Sequence, residues 1–193
     1  VVALVAGSLS WFKPMSEQDT IPDSQAVLPS SEKPSIAVLP FTNMSGDPDQ
    51  EYFSDGMTED LITDLSKLSG LFVIARNSSF AYRGQSKDLR QIADELGVSY
   101  LLEGSVRRQG DQVRINAQLI DGATGGHIWA ERFDGTMSDI FGLQDSVNQK
   151  IVEELAISLT LQEQEQFRKV ETSNPEAYDL LLRGLEQFHL STR

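Results

Sequence analysis

The run from Leu96 to Phe133, LGVSYLLEGSVRRQGDQVRINAQLIDGATGGHIWAERF, constrains this chain more than any other stretch. Val98, Tyr100, Leu102, Gly104 and Val106 alternate with more polar residues. Val113, Ile115, Ala117 and Leu119 alternate with Arg114, Asn116 and Gln118. Alternation with a period of two marks half-buried strands. Gln109-Gly110-Asp111 separates the runs, and Gly122, Gly125 and Gly126 follow the second, which predicts a meander of three antiparallel strands. The inward residues are even-numbered on the first strand and odd-numbered on the second. Opposed residues must therefore sum to an odd number, and the connecting loop must hold an even number of residues. A slip by one would put Val113 and Ile115 in water.

The same register defines a candidate site. Glu103, Ser105 and Arg107 on one strand project from the same face as Arg114, Asn116 and Gln118 on the next, opposite to Leu102, Val106, Ile115 and Leu119. Arg107, Arg108 and Arg114 concentrate positive charge here, on a chain whose net charge is −13. One reading is an ordinary solvated sheet face. The other is a docking surface for an acidic protein partner, or for an acidic part of the same polypeptide, which arginine suits through its planar fork of donors.

Around the meander the pattern reads β-α-β-α-β-β-β-α. Ile36-Ala-Val-Leu39 is a short apolar run, as in a strand covered on both faces, ended by Pro40 and Phe41. The loop NMSGDPDQEYFSDG carries Asp47, Asp49, Glu51 and Asp55 in rough calcium-loop spacing. Pro48 intervenes, however, and Thr58 stands where the twelfth-position glutamate belongs, so an acidic lead into a helix N-terminus is expected instead. Met57, Leu61, Leu65 and Leu68 stripe a helix from about 54 to 69. Leu71–Ala75 is a second strand, and the serine-rich Arg76–Phe80 a turn. Asp88 and Gln91 make a capping-box-like start for a helix over 88–96, which Gly97 ends. Ile140, Leu143, Val147, Ile151, Leu155 and Leu159 stripe a helix over 139–159. Asn174-Pro175-Glu176 starts a last helix, with Ala177, Tyr178, Leu181, Leu185 and Phe188 facing one way. The expected fold class is α/β: a mixed sheet of about five strands with three packed helices, followed by the start of a helical array.

At the N-terminus, VVALVAGSLSWF is expected to be either a short buried terminus or the end of a transmembrane helix. Its twelve residues span ~18 Å as a helix, against a hydrocarbon core of ~30 Å. Trp11 and Phe12 stand where interfacial aromatics belong. Lys13 is followed by Glu17, Asp19 and Asp23, so nothing holds this flank on the cytoplasmic side and the periplasmic side is expected. Residues 13–33 are rich in Pro, Ser, Asp and Gln and read as a flexible tether. The domain proper runs over 34–160, and 161–173 is a linker or a helical extension. Since both flanks carry few apolar residues, 33–160 is expected to fold alone.

Composition narrows the function. With 39% hydrophobic and 23% charged residues a packed core is expected. A charge of −13 argues against a nucleic-acid partner. The absence of cysteine removes thiol chemistry and Cys-ligated zinc, and His127 and His189 have no metal-ligand spacing. No phosphate loop, no G-x-S-x-G and no H-E-x-x-H occurs. No cofactor, metal site or catalytic set is expected.

Three stretches carry a family resemblance: FSDGMTEDLITDLSKLSGLFVIARNSSF, LGVSYLLEGSVRRQGDQVRINAQLIDGATGGHIWAERFD and DIFGLQDSVNQKIVEEL. Together, over roughly Lys33 to Leu159, they resemble the TolB-like N-terminal domain. Arg76–Phe80 is similar to that family's RTSSF, with Asn77 where Thr is usual. YDLLLRGLEQF resembles the first helix of a tetratricopeptide repeat, with Leu180 where Trp is preferred and Gln187 where Tyr is. The resemblance implies a domain between a membrane span and tetratricopeptide repeats, with 174–193 the first helix of that array. Such domains occur in bacterial class III adenylate/guanylate cyclase-like proteins and in winged-helix transcription regulators. The implied role is a non-catalytic, periplasmic, protein-interacting or sensory domain at the inner membrane, acting on an output domain outside these residues. The alternative is a structural spacer that orients the tetratricopeptide array.

Overall fold

A computed structural model of the chain describes residues 33–157, 159–163 and 174–191. The expected membrane-helix end, and the tether before Lys33, lie outside the described residues. Among the described residues no helix is long and apolar enough to cross a membrane.

The sheet is mixed and has six strands: β1 (Ser35–Val38), β2 (Thr42–Asn43), β3 (Phe72–Val73), β4 (Tyr100–Gln109), β5 (Gln112–Asp121) and β6 (His127–Thr136). Its order is β3-β1-β4-β5-β6, with β2 also on β4. Both β1 and β2 run parallel to β4, while β4, β5 and β6 form the antiparallel meander. The strand missing from the sequence reading is β2. Pro40, which has no N–H to give the ladder, separates it from β1. The Phe41 N–H donates to Thr58 Oγ1 (3.0 Å) instead, and pairing with β4 resumes when Met44 N–H reaches the Val106 carbonyl at 2.7 Å.

β1 is buried on both faces, as its unbroken apolar run predicts. Ile36 and Val38 enter the main core, where Leu102, Val106, Val113, Ile115 and Leu119 meet α1 (Glu51–Ser66) and α4 (Ile140–Glu154). Ala37 and Leu39 enter a second cluster with Leu101 and Ile120, under Ile92 and Ala93 of α3 (Leu89–Leu96). The sheet is therefore covered on both sides over part of its length. Each fully buried aliphatic side chain here contributes ~1.5–3 kcal/mol.

Helix ends follow local chemistry. α1 begins earlier than its apolar stripe suggests, because Asp47 caps a 3-10 turn (Pro48–Gln50) that runs straight into it. Asp88 caps α3 by accepting from Arg90 N–H, and Gly97 closes it at φ +65°. Gln91 takes no part in that cap; its amide reaches Glu95 at 3.2 Å. Arg76–Phe80 is a short helix, α2, rather than a turn. α4 stops before the expected 159 because Ala156 turns left-handed (φ +51°) and Ile157 N–H bonds back to Val152 O at 3.0 Å, a Schellman-type end.

The last helix, α5 (Pro175–Ser191), is capped by Asn174, whose side-chain oxygen accepts from Glu176 and Ala177 N–H. Tyr178 and Leu182 are buried in the main core, while Leu181 and Phe188 are 57% and 62% exposed. The apolar residues expected on one face are thus divided between two. Leu182 lies against Gly56 of α1, where an added Cβ would stand 2.3 Å from Leu182 Cδ2. Phe141 of α4 meets the Tyr178 ring edge-on at 4.9 Å. Removal of α5 would therefore open the core, contrary to the expectation that little is lost beyond residue 160.

Candidate functional site: the open sheet face

β4 and β5 are joined by Gly110 and Asp111, a two-residue loop of the required even length, with Gly110 at φ +61°. The register places Glu103 opposite Gln118, Ser105 opposite Asn116, and Arg107 opposite Arg114. All six candidate residues thus share one face as three cross-strand pairs. Asn116 Nδ2 donates to Ser105 Oγ at 3.0 Å. Arg107 is exposed, and its Nε donates to the Met44 carbonyl at 3.2 Å.

β6 extends each row: Ala130 beside Gln118, Arg132 beside Asn116, Asp134 beside Arg114. Asp134 bonds Arg114 Nε at 2.5 Å and Arg132 Nε at 3.1 Å. The Arg114 guanidinium, with Arg132 next to it, holds the Asp134 carboxyl below its usual range. Two guanidiniums, Arg114 and Arg132, therefore share one carboxylate, beside a shallow depression of about 280 Å³ lined by Arg107, Gln109, Gln112, Val113, Arg114 and Asp134. Arg132 and Asp134 were not singled out in the sequence. Their alternation in WAERFD was visible, but a bulge at Leu119/Ile120 sets which β6 residue meets which β5 residue. At the other end of the same face, Leu101 and Ile120 lie under α3, so the polar patch is open only toward the hairpin.

Arg108 does not belong to this face. It points to the opposite side, 5.3 Å above the Phe53 ring, with Nη1 at 2.5 Å from Asp179 of α5. A cleft of about 180 Å³ between α1 and α5 has Arg76 and Arg83 in its lining, and both already pair with acids, Arg76 with Glu59 and Arg83 with Glu51 and Asp55. Among the described residues no group of three or more His, Asp or Glu side chains is arranged to hold a metal ion. The face presents the Arg107, Arg114, Arg132 and Asp134 charges beside the Ser105–Asn116 pair.

A family model, described as the second domain of HilA/YgeH-like transcriptional regulators, matches residues 31–156, more than half of the chain. This chain belongs to that family. A curated relative, "Putative adenylate cyclase 3" of Rhizobium meliloti (strain 1021), is 64% identical over 152 residues, which is 79% of this chain and 26% of that protein. The chain thus spans about a quarter of the relative's length. Among solved structures, TolB from Acinetobacter baumannii is 20% identical over 64% of this chain and 28% of its own, with a TM-score of 0.48. The lipoprotein GNA1162 of Neisseria meningitidis is 22% identical over 65% of this chain and 99% of its own, with a TM-score of 0.46.

Proposed function

We propose that this domain is a non-catalytic protein-interaction module of a membrane-anchored bacterial signalling protein, on the periplasmic side of the inner membrane. Its open sheet face, Glu103, Ser105, Arg107, Arg114, Asn116 and Gln118 extended by Arg132, docks an acidic protein surface and so modulates a cyclase-type output domain. The observation that carries this reading is the placement of Arg107, Arg114 and Arg132 on one sheet face, with one carboxylate, Asp134, paired to two of them, on a chain of charge −13. The high identity to a protein named as a cyclase supports that choice of output; the family's description supports a regulator's sensor part as the alternative.

The test is a photo-crosslinker at position 116 of the full-length protein in its native membrane. A crosslinked adduct should form and should disappear in the Arg107→Glu, Arg114→Glu double variant. Thermal stability should change little, since exposed substitutions usually stay within ~0.5 kcal/mol each. An adduct unaffected by charge reversal assigns the face to solvent. The purified 193-residue chain, given Mg²⁺ or Mn²⁺ with ATP or GTP, should make no cyclic nucleotide. Turnover would overturn the non-catalytic reading.

One observation favours a second role, that of a spacer: α5 is seated in the core of the domain, so whatever follows it inherits a fixed direction. If that role is the whole function, reversing charge on the open face will leave signalling unchanged while unseating α5 will abolish it.

A further inference from the structure

α5 is seated through two polar junctions of opposite character. At one, Asp179 is ringed by donors: Tyr52 Oη at 2.6 Å, Arg108 Nη1 at 2.5 Å and Arg183 Nε at 2.9 Å. At the other, one turn of α1 away from Gly56, Asp60 accepts from Tyr178 Oη of α5 and from Gln144 Nε2 of α4 (2.8 Å), both on the same oxygen. Gln144 Nε2 also reaches Tyr178 Oη at 2.9 Å. This second junction has acids around it and, among the described residues, no ion-pair partner for Asp60. Glu59 and Asp64 are its neighbours on α1. Asp145 and Asn148 flank Gln144 on α4, with Asn148 Nδ2 on Asp64 at 3.1 Å and Lys67 on Asp64 at 2.8 Å. From α5 only the Tyr178 hydroxyl faces it.

We propose that this junction is a proton-operated latch: with Asp60 protonated α5 is held on α1 and α4, and with Asp60 ionised the hold loosens. The geometry supplies the reason. Docking Tyr178 over Asp60 half-buries a carboxyl that has two neutral donors and no cation, next to the negative charge of Asp64 and Glu59. That site favours the neutral carboxyl over the anion. Burial accordingly pushes the Asp60 carboxyl up to about 6, against the lowering effect of its Tyr178 and Gln144 hydrogen bonds. The sign follows. A carboxyl whose value is raised on docking favours the docked state fully below its ordinary value near 4, and loses that contribution as pH rises through about 6. The Asp179 junction does not blur this window, because that carboxyl is held down at about 2 and its Tyr52 partner is pushed up to about 12.

The test is amide hydrogen exchange of the 193-residue chain from pH 4.5 to 7.5, corrected for intrinsic rates, with α3 as internal control. Protection of residues 178–188 should fall on the order of tenfold or more across that range, while α3 stays level. Asp60→Asn keeps an acceptor for Tyr178 and Gln144 and cannot ionise, so its α5 protection should be flat with pH. Tyr178→Phe removes a donor that favours the anion, so its decline should extend to higher pH. Three results would overturn the latch: α5 protection in the wild type that does not depend on pH, an Asp60→Asn profile identical to wild type, or α3 falling in step with α5.

Discussion

Two glycines show how different the same residue type can be in this molecule. Gly104 sits in β4 where an added Cβ would stand 2.3 Å from the Asn116 carbonyl and 2.6 Å from Phe41 Cε2. Neither backbone nor a fully packed ring can give way, so Gly104→Ala should destabilise by at least ~1–3 kcal/mol in denaturant titration. Gly184 lies in the exposed interior of α5 with nothing within 4 Å of an added Cβ. There Ala should stabilise by ~1 kcal/mol through helix propensity alone. Equal effects at the two sites would show that Phe41 is not seated on Gly104. In the sequence, Gly104 reads as an apolar position in a strand, and only the ring packed onto it from beyond Pro40 reveals why the residue is glycine.

Among the elements, α5 is the one whose standing the structure changes. Its start was legible, since Asn174-Pro175-Glu176 specifies a cap, a first turn and an acid at the positive helix end. Its partner was not. Leu182 entering the gap above Gly56 depends on two helices more than a hundred residues apart, and no local pattern records it. Leu182→Ala should cost ~2–5 kcal/mol. A chain ending at residue 160 should unfold at markedly lower temperature than the full chain, since it loses Tyr178 and Leu182 from the core, ~1.5–3 kcal/mol for an apolar side chain of that size. Identical melting of the two lengths would mean that α5 contributes nothing to the core.

Across the whole molecule, stability should be greatest in mildly acid solution. Asp60 contributes most below its ordinary value near 4, and that contribution disappears as pH rises through about 6. Asp179 and Glu163 are held down at about 2. Asp179 accepts from Tyr52, Arg183 and Arg108 against the opposing effect of its burial; Glu163 accepts the backbone N–H groups of Ser69 and Thr160. Their contribution is present above about 4 and is lost as pH falls through about 2. Thermal melts should therefore peak between about pH 4 and 6 and fall on both sides. In Asp60→Asn the decline on the alkaline side should shrink, leaving the part that comes from Asp145, whose carboxyl burial and Asp64 also push up, while the acid limb remains.

What the sequence by itself determined is what has a short period or a short reach. The alternation in Leu96–Phe133 set the parity of the β4–β5 register, because a slip by one puts apolar side chains in water. The even loop and the shared face of the six candidate residues followed from parity; the two-residue loop of the structure then set the three cross-strand pairs. The helix caps at Asp88, Gly97 and Asn174 are local chemistry of the same kind. Tertiary structure decided whatever depends on two distant segments meeting. It placed α3 over one end of the second sheet face and brought Arg132 and Asp134 to the patch through a bulged register. It also half-buried Asp60 beneath Tyr178. Side-chain direction repeats along a strand and can be counted, but what covers a face depends on long-range packing, and packing has no period to read.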